Sequence, residues 1–429
     1  MELFVVPKIK RWLAHTSTQG LTVFATVTAF CLYTCLFALR KSFTAATFGG
    51  ITFLNIDYKA WLILSQVFGY LLSKFIGIKV ISELKPDKRA FGILIIAICA
   101  VASWLAFALV PKPYNIIFLF FNGLPLGMGW GLMIGYLEGR KTTDVMAAGL
   151  SVSFIFSSGF SRTIGSMIMN DWNLSPFWMP FVAALVFFVP LLLFLFLINH
   201  LPPPNAEDER LRTKRKPMMG LERWNFFKVF APGLVLLILL YVLLTTFRDL
   251  RDNFSAEIWE ALGYGKSSQI YTVTEAPVSL IVLIVIGSLM FIRSNFLAFM
   301  IIHVIVLIGL LTVGISTLGF QQQWVSAPVW MILVGVGLYF GYIAFNSVLF
   351  DRLIATYKYA STVGFLIYLA DSCGYIGSAA VVFYKNLGQP NLSWLEFFTG
   401  AAYAMSAIGS LLIVASMVYF YWKYKEAKG

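Results

Sequence analysis

Arg40 and Lys41 stand side by side in Leu36-Phe37-Ala38-Leu39-Arg40-Lys41-Ser42-Phe43-Thr44-Ala45, and from Leu21 to Leu54 the chain carries no other charge. A run that long and apolar reads as a membrane-spanning helix, where a cation near the bilayer centre costs about 2.5–3.5 kcal/mol on insertion scales. Two arrangements offset such a cost: a counter-charge on another helix, or an anion held in a wet cavity. A guanidinium forks onto a phosphate or carboxylate through paired hydrogen bonds, so Arg40 is suited to capturing an oxyanion. Lys41 points about 100° away around the helix and cannot meet the same small anion as an equal. The alternative for Arg40 is a structural bridge to a buried acid such as Asp252 or Asp371.

The pattern recurs. Arg251-Asp252-Asn253-Phe254-Ser255-Ala256 repeats Arg40-Lys41-Ser42-Phe43-Thr44-Ala45 after a shift of 211 residues. Arg248 lies three before Arg251 and shares its helix face. Because 19 uncharged residues separate Lys228 from Arg248, the stretch Arg248-Asp249-Leu250-Arg251-Asp252 also reads as an outer juxtamembrane segment with self-satisfied charges. Arg251 is the expected site residue and Arg248 its substitute. Lys74, in Ser73-Lys74-Phe75-Ile76-Gly77, either adds a third cation to the pocket or snorkels to the headgroups. Arg162 is similarly open. Glu275 and Asp371 are buried acids able to take a proton or oppose a cation, with Asp252 a further counter-charge. His303, alone on an apolar helix, reads as a hydrogen-bonded packing residue.

Holding such side chains takes a helical membrane scaffold. The 429 residues are 59% hydrophobic and 12% charged, with a mean hydropathy of +0.81, which excludes a soluble globular protein. Apolar runs of spanning length fall at 20–49, 58–82, 89–110, 114–138, 144–169, 175–199, 229–253, 268–292, 295–319, 325–350, 358–384 and 392–422. With the N-terminus inside, 22 of the 32 Lys and Arg lie on the inner side, and only Lys59, Lys112, Lys266 and Lys385 lie outside. That asymmetry predicts both termini in the cytoplasm and explains the net charge of +12 by topology instead of nucleic-acid binding. A polar segment after His200 reads as a linker over 200–228 joining six-helix halves at 1–199 and 229–429. The halves keep register: Gly129 matches Gly341, Arg140 matches Arg352, Ala148 matches Ala360, and Ile164-Gly165-Ser166 matches Ile376-Gly377-Ser378, each 212 apart. Cys31, Cys35, Cys99 and Cys373 all fall in apolar runs and read as packing residues. No zincin-type histidine pair, Walker loop or nucleophile elbow occurs, so neither an enzyme nor a metal or cofactor is expected.

Three blocks carry a resemblance. Arg40-Lys41-x-Phe43, Ser73-Lys74-Phe75-Ile76 and Asn122-Gly123-x-x-x-Gly127-Met128-Gly129-Trp130 together resemble the organophosphate:phosphate antiporter family of the major facilitator superfamily, which includes glycerol-phosphate and hexose-phosphate transporters. The resemblance implies an all-α membrane protein with the major facilitator fold, 12 transmembrane helices in two pseudo-symmetric six-helix halves, and a substrate site at mid-membrane between them. It also implies that Arg40 and Arg251 bind phosphate, with Lys41 and Lys74 at nearby cationic positions. Phe48 and Gly131 stand where the family has prolines, Ser157 where it has a histidine on helix five, and Ser82-Glu83 is what remains of its acidic loop motif. The expected protein is therefore a monomeric, multi-pass secondary transporter of the bacterial inner membrane. It would move a small anionic solute, a phosphate or organophosphate, by alternating access in exchange for inorganic phosphate. The rival expectations are a transporter-like sensor of a phosphorylated ligand, and a carboxylate or drug transporter whose arginines are structural.

Overall fold

Each of the twelve apolar runs carries a helix in the computed structural model, which describes residues 6–204, 208, 220–357 and 363–426. A short α1 (Pro7–Ala14) comes first. The first six runs are α2 (Thr18–Lys41), α3 (Tyr58–Glu83), α4 (Arg89–Leu109), the pair α5 (Ile117–Leu126) and α6 (Gly129–Leu137), α7 (Thr143–Asn170) and α8 (Met179–Ile198). The second six begin with α9 (Gly220–Asn253), which is followed by a short α10 (Ser255–Ala261), then α11 (Ile270–Ser288) and α12 (Asn295–Gln321). They end with the pair α13 (Ala327–Ala344) and α14 (Phe350–Tyr357), then α15 (Val363–Phe383) and α16 (Trp394–Glu426). Most of the linker expected over 200–228 lies outside the described residues, as does Ala360.

Among the described residues, nine of these helical runs are long and apolar enough to cross a membrane. The chain is an integral, multi-pass, nearly all-helical membrane protein. Lipid offers no hydrogen bonds, so a spanning backbone must satisfy its own, and a helix does that within one segment. α7 is more polar, but Ser151, Ser153, Ser157, Ser158, Ser161 and Ser166 are all buried against protein.

Local chemistry sets several boundaries. The Ser17 hydroxyl accepts from the Gly20 amide to start α2, and Ser294 does the same for Leu297 at the start of α12. After α2 the chain makes a short hairpin in which Thr52 pairs with Asp57 and Phe53 with Ile56. Leu54 and Asn55 at its tip have φ of 52° and 59°, the left-handed pair that a two-residue hairpin turn requires. Pro125 cannot donate a backbone hydrogen bond, and the fourth run breaks into α5 and α6 just after it.

Contacts divide the chain into two units, one of Met1–Arg212 with Ser255–Ala276, the other of Thr213–Phe254 with Pro277–Gly429. Within the first, α2 packs on α7 and α8, and α4 packs on α5 and α8. The second has the equivalent pairs: α9 packs on α15 and α16, and α12 packs on α13 and α16. The same pairing of equivalent helices is the tertiary counterpart of the repeat in the sequence.

Candidate functional site

Arg40 sits in the last turn of α2, where the final carbonyls of a helix lack intrahelical donors. Three other helices supply them. Trp104 Nε1 of α4 donates to the Leu39 carbonyl at 2.6 Å, Asn122 Nδ2 of α5 donates to the same oxygen at 3.2 Å, and Gln66 Nε2 of α3 donates to the Arg40 carbonyl at 2.9 Å. Gln66 also donates to Asn122 Oδ1 at 2.9 Å. This collar fixes the backbone from which Arg40 projects. Gly123 lets α5 approach, since a Cβ there would collide with the Gln66 carbonyl. The Asn122–Trp130 block therefore contributes to the site by gripping the end of α2.

The Arg40 guanidinium carbon lies 3.8 Å from the centroid of the Tyr70 ring, and Lys74 Nζ lies 5.2 Å from the same centroid. Two cations thus share one aromatic ring, a stack that orients the guanidinium while its in-plane donors stay available. Arg40 Nε is buried and has no hydrogen-bond partner, and no carboxylate pairs with Arg40 among the described residues of its unit. Arg40, Tyr70, Tyr33, Leu36, Phe37, Leu126 and Gly129 line a small recess of about 10 Å³. Tyr33 is packed edge-on against Trp130 and Phe154, at centroid distances of 5.5 and 4.9 Å. Lys41 is buried, with its backbone carbonyl accepting from the Thr44 hydroxyl. Ser157 donates to Thr34 Oγ1 at 2.9 Å.

In the second unit Arg248 is held by its own neighbours: Asp249 Oδ1 accepts from it at 2.6 Å, its Nη1 donates to the Tyr342 hydroxyl, and its guanidinium carbon lies 4.4 Å from the Tyr342 ring centroid. Arg251 is fully buried on the same helix, donating from Nη2 to the Met331 carbonyl at 3.0 Å. Gly335 makes the space: a Cβ there would lie 2.8 Å from Arg251 Nη2. Asp252 is buried with Tyr339 Oη 3.5 Å away. Asp371 accepts from the Tyr241 hydroxyl at 2.5 Å, and Asn346 donates to Tyr241 at 3.0 Å from a π-helical turn, Phe345–Leu349, after α13.

Glu275 belongs to the first unit, 3.7 Å from Arg162, whose Nη1 donates to the Ser255 hydroxyl at 2.7 Å. Lys59, at the start of α3, pairs with Glu257 Oε2 at 2.8 Å and donates to the Thr44 carbonyl at 3.1 Å. Burial pushes the Glu257 carboxyl up from its ordinary value, and the Lys59 ammonium beside it pulls it back down. His303 is buried, its Nδ1 donating to the Phe299 carbonyl and its Nε2 facing Ser416 Oγ.

Tyr70 is the residue that reading the sequence missed. Its signal was its spacing of four from Lys74, which places both on one face of α3. Glu257 was missed as well, because nothing local joins it to a lysine 198 positions earlier.

The model of a family of unknown function, DUF5690, matches residues 42–423. The chain belongs to that family. No curated protein sequence matches this DUF5690 member. Its structure is similar to the crystal structure of a D-xylose-proton symporter, with a TM-score of 0.59 and 14% identity over 93% of this chain and 97% of that one. It is also similar to a bacterial homologue of the human drug peptide transporters PepT1 and PepT2, with a TM-score of 0.60 and 13% identity over 94% and 99% of the two chains. At such identities the likeness establishes the fold: this DUF5690 protein has the major facilitator fold.

Proposed function

We propose that this DUF5690 protein is a secondary active transporter of an anionic solute, a phosphate or organophosphate, that works by alternating access and exchanges its cargo for inorganic phosphate. The observation that carries the reading is Arg40, stacked on Tyr70 beside Lys74, with a buried Nε that has no partner and no carboxylate paired to it among the described residues of its unit. A cation in that condition within a spanning helix is stabilised by an anion. The two structural neighbours named above are carriers by title, which supports carriage as such, and the cargo is inferred from the local chemistry. Exchange follows from the same charge: the empty site holds cations that resist reorientation, whereas the loaded site is neutralised.

The test is exchange of labelled inorganic phosphate in proteoliposomes loaded with phosphate. Wild-type protein is expected to exchange, and Arg40→Ala to lose more than about nine-tenths of the rate, as expected for removal of a charge-assisted contact. Loss is expected for Arg251→Ala too if the repeat extends to function. No exchange by folded, inserted wild-type protein, or full exchange by Arg40→Ala, overturns the reading. A second reading, proton-coupled symport of the anion, is favoured by Asp371, a carboxyl in the apolar helix α15 with a 2.5 Å bond from Tyr241. It predicts uptake driven by an imposed pH gradient and lost in Asp371→Asn.

A further inference from the structure

We propose that α1 is a docking surface for the anionic phospholipid headgroups of the bilayer beside the start of α2. The inference is independent of the anion-carrier reading above.

The residues of α1 divide into two faces. At about 100° per residue, Lys8, Lys10 and Arg11 share one arc of the helix, and Ile9, Trp12 and Leu13 share the other. Leu13 is fully buried, whereas Trp12 and the three cations are exposed. No carboxylate pairs with those cations among the described residues. Isolated helices shorter than roughly 12–15 residues are marginal in water, so α1 depends on what it touches. On the protein side the Val6 amide donates to His200 Nε2 at 2.7 Å, and the buried His200, just after α8, donates from Nδ1 to the Phe196 carbonyl at 2.7 Å. On the other side Trp12 is 62% exposed, with its ring edge-on to Phe24 of α2 at 6.5 Å. Phe24 neighbours Val23 and Val27, both exposed on a helix that spans the membrane, so this flank of α2 faces lipid. An indole beside that flank lies at the depth of the headgroups, where amphipathic rings collect. Only His15, Thr16 and Ser17 separate α1 from α2, so Ala14 lies at most about 14 Å from Thr18 and the cations stay near the membrane surface. A basic arc at that depth complements an anionic headgroup layer. An acidic protein would fit the basic arc alone and would leave Trp12 without a role.

The experiment is hydrogen–deuterium exchange of the full-length protein in nanodiscs of phosphatidylcholine, alone or with an equal share of phosphatidylglycerol. The amides of α1 are expected to exchange about tenfold more slowly in the anionic discs, as expected for several cations close to an anionic surface. Those of the short α10, which carries no cation, are expected to be unchanged. High salt is expected to remove the difference in the wild-type protein, because it screens exposed charges. Lys8→Gln, Lys10→Gln and Arg11→Gln together are expected to remove it at low salt. Equal exchange of wild-type α1 in the two lipids, the result for a face covered by protein, overturns the inference. A difference that survives either high salt or the triple substitution overturns it as well. Equal protection of α1 by inorganic phosphate in discs of phosphatidylcholine alone would make the basic arc a free-anion site and also overturns it.

Discussion

Tyr70 is the side chain on which the site's electrostatics turn, since its ring lies under Arg40 and within reach of Lys74. Without it the guanidinium loses its orientation, and the two cations lose the negative face that lies between them. Tyr70→Leu is expected to weaken phosphate binding about tenfold, and Tyr70→Phe to retain it, because the quadrupole belongs to the ring and not to the hydroxyl. Equal affinities for the leucine variant and wild type would remove the ring from the site. Gly335 does for Arg251 by absence what Tyr70 does for Arg40 by contact. Its added Cβ would lie 2.8 Å from Arg251 Nη2 and 2.9 Å from Val278 Cγ2, so Gly335→Ala is expected to cost about 1–3 kcal/mol through overpacking. An unchanged melting temperature would contradict it. Arg40 stands out in the sequence because an arginine in a spanning run is anomalous by itself. Tyr70 is an ordinary residue on its helix, and only the fold brings it to Arg40.

The pair Lys59 and Glu257 joins the start of α3 to α10, with Lys59 also bonded to the Thr44 carbonyl just after α2. Both ends of this contact lie in the first unit. A buried ion pair is asymmetric in its energetics, since removing one partner strands a charge while removing both does not. Glu257→Gln is therefore expected to destabilise by about 3–5 kcal/mol, and Lys59→Met combined with Glu257→Leu to recover most of that loss. Thermal unfolding of Lys59→Met, Glu257→Leu and their double variant, beside Glu257→Gln, checks it, and additive losses in the double variant would show that the contact is not a coupled pair. The broken helix α5–α6 is also an element-scale device. Pro125 and the break after it set Leu126 and Gly129 along the recess, which an unbroken helix would present with a different phase.

For the whole molecule the distribution of lysine and arginine predicts an orientation that reporter fusions can read. Alkaline phosphatase fused into the loop at Gly263–Ser267 is expected to be active, and the same enzyme fused after Glu426 inactive, because segments rich in cations stay in the cytoplasm. The opposite pattern would invert the topology. Membrane class, helix number and the repeat could be read from the chain because hydropathy is local and additive, and because lipid forces each spanning segment to close its own hydrogen bonds. The chemistry of the arginines could not be read the same way. Each is a buried cation in sequence, yet packing gives Arg162 a glutamate, Arg248 an adjacent aspartate and a tyrosine, Arg251 a backbone carbonyl, and Arg40 an aromatic ring. A partner is fixed by which helix faces meet, and the residues that meet stand far apart in the chain: 26 positions from Gln66 to Arg40, 65 from Trp104 to Leu39 and 198 from Lys59 to Glu257. Sequence alone determined that cations must be accommodated in a membrane; the tertiary structure decided which one was left facing a recess, because only packing assigns the counter-charges.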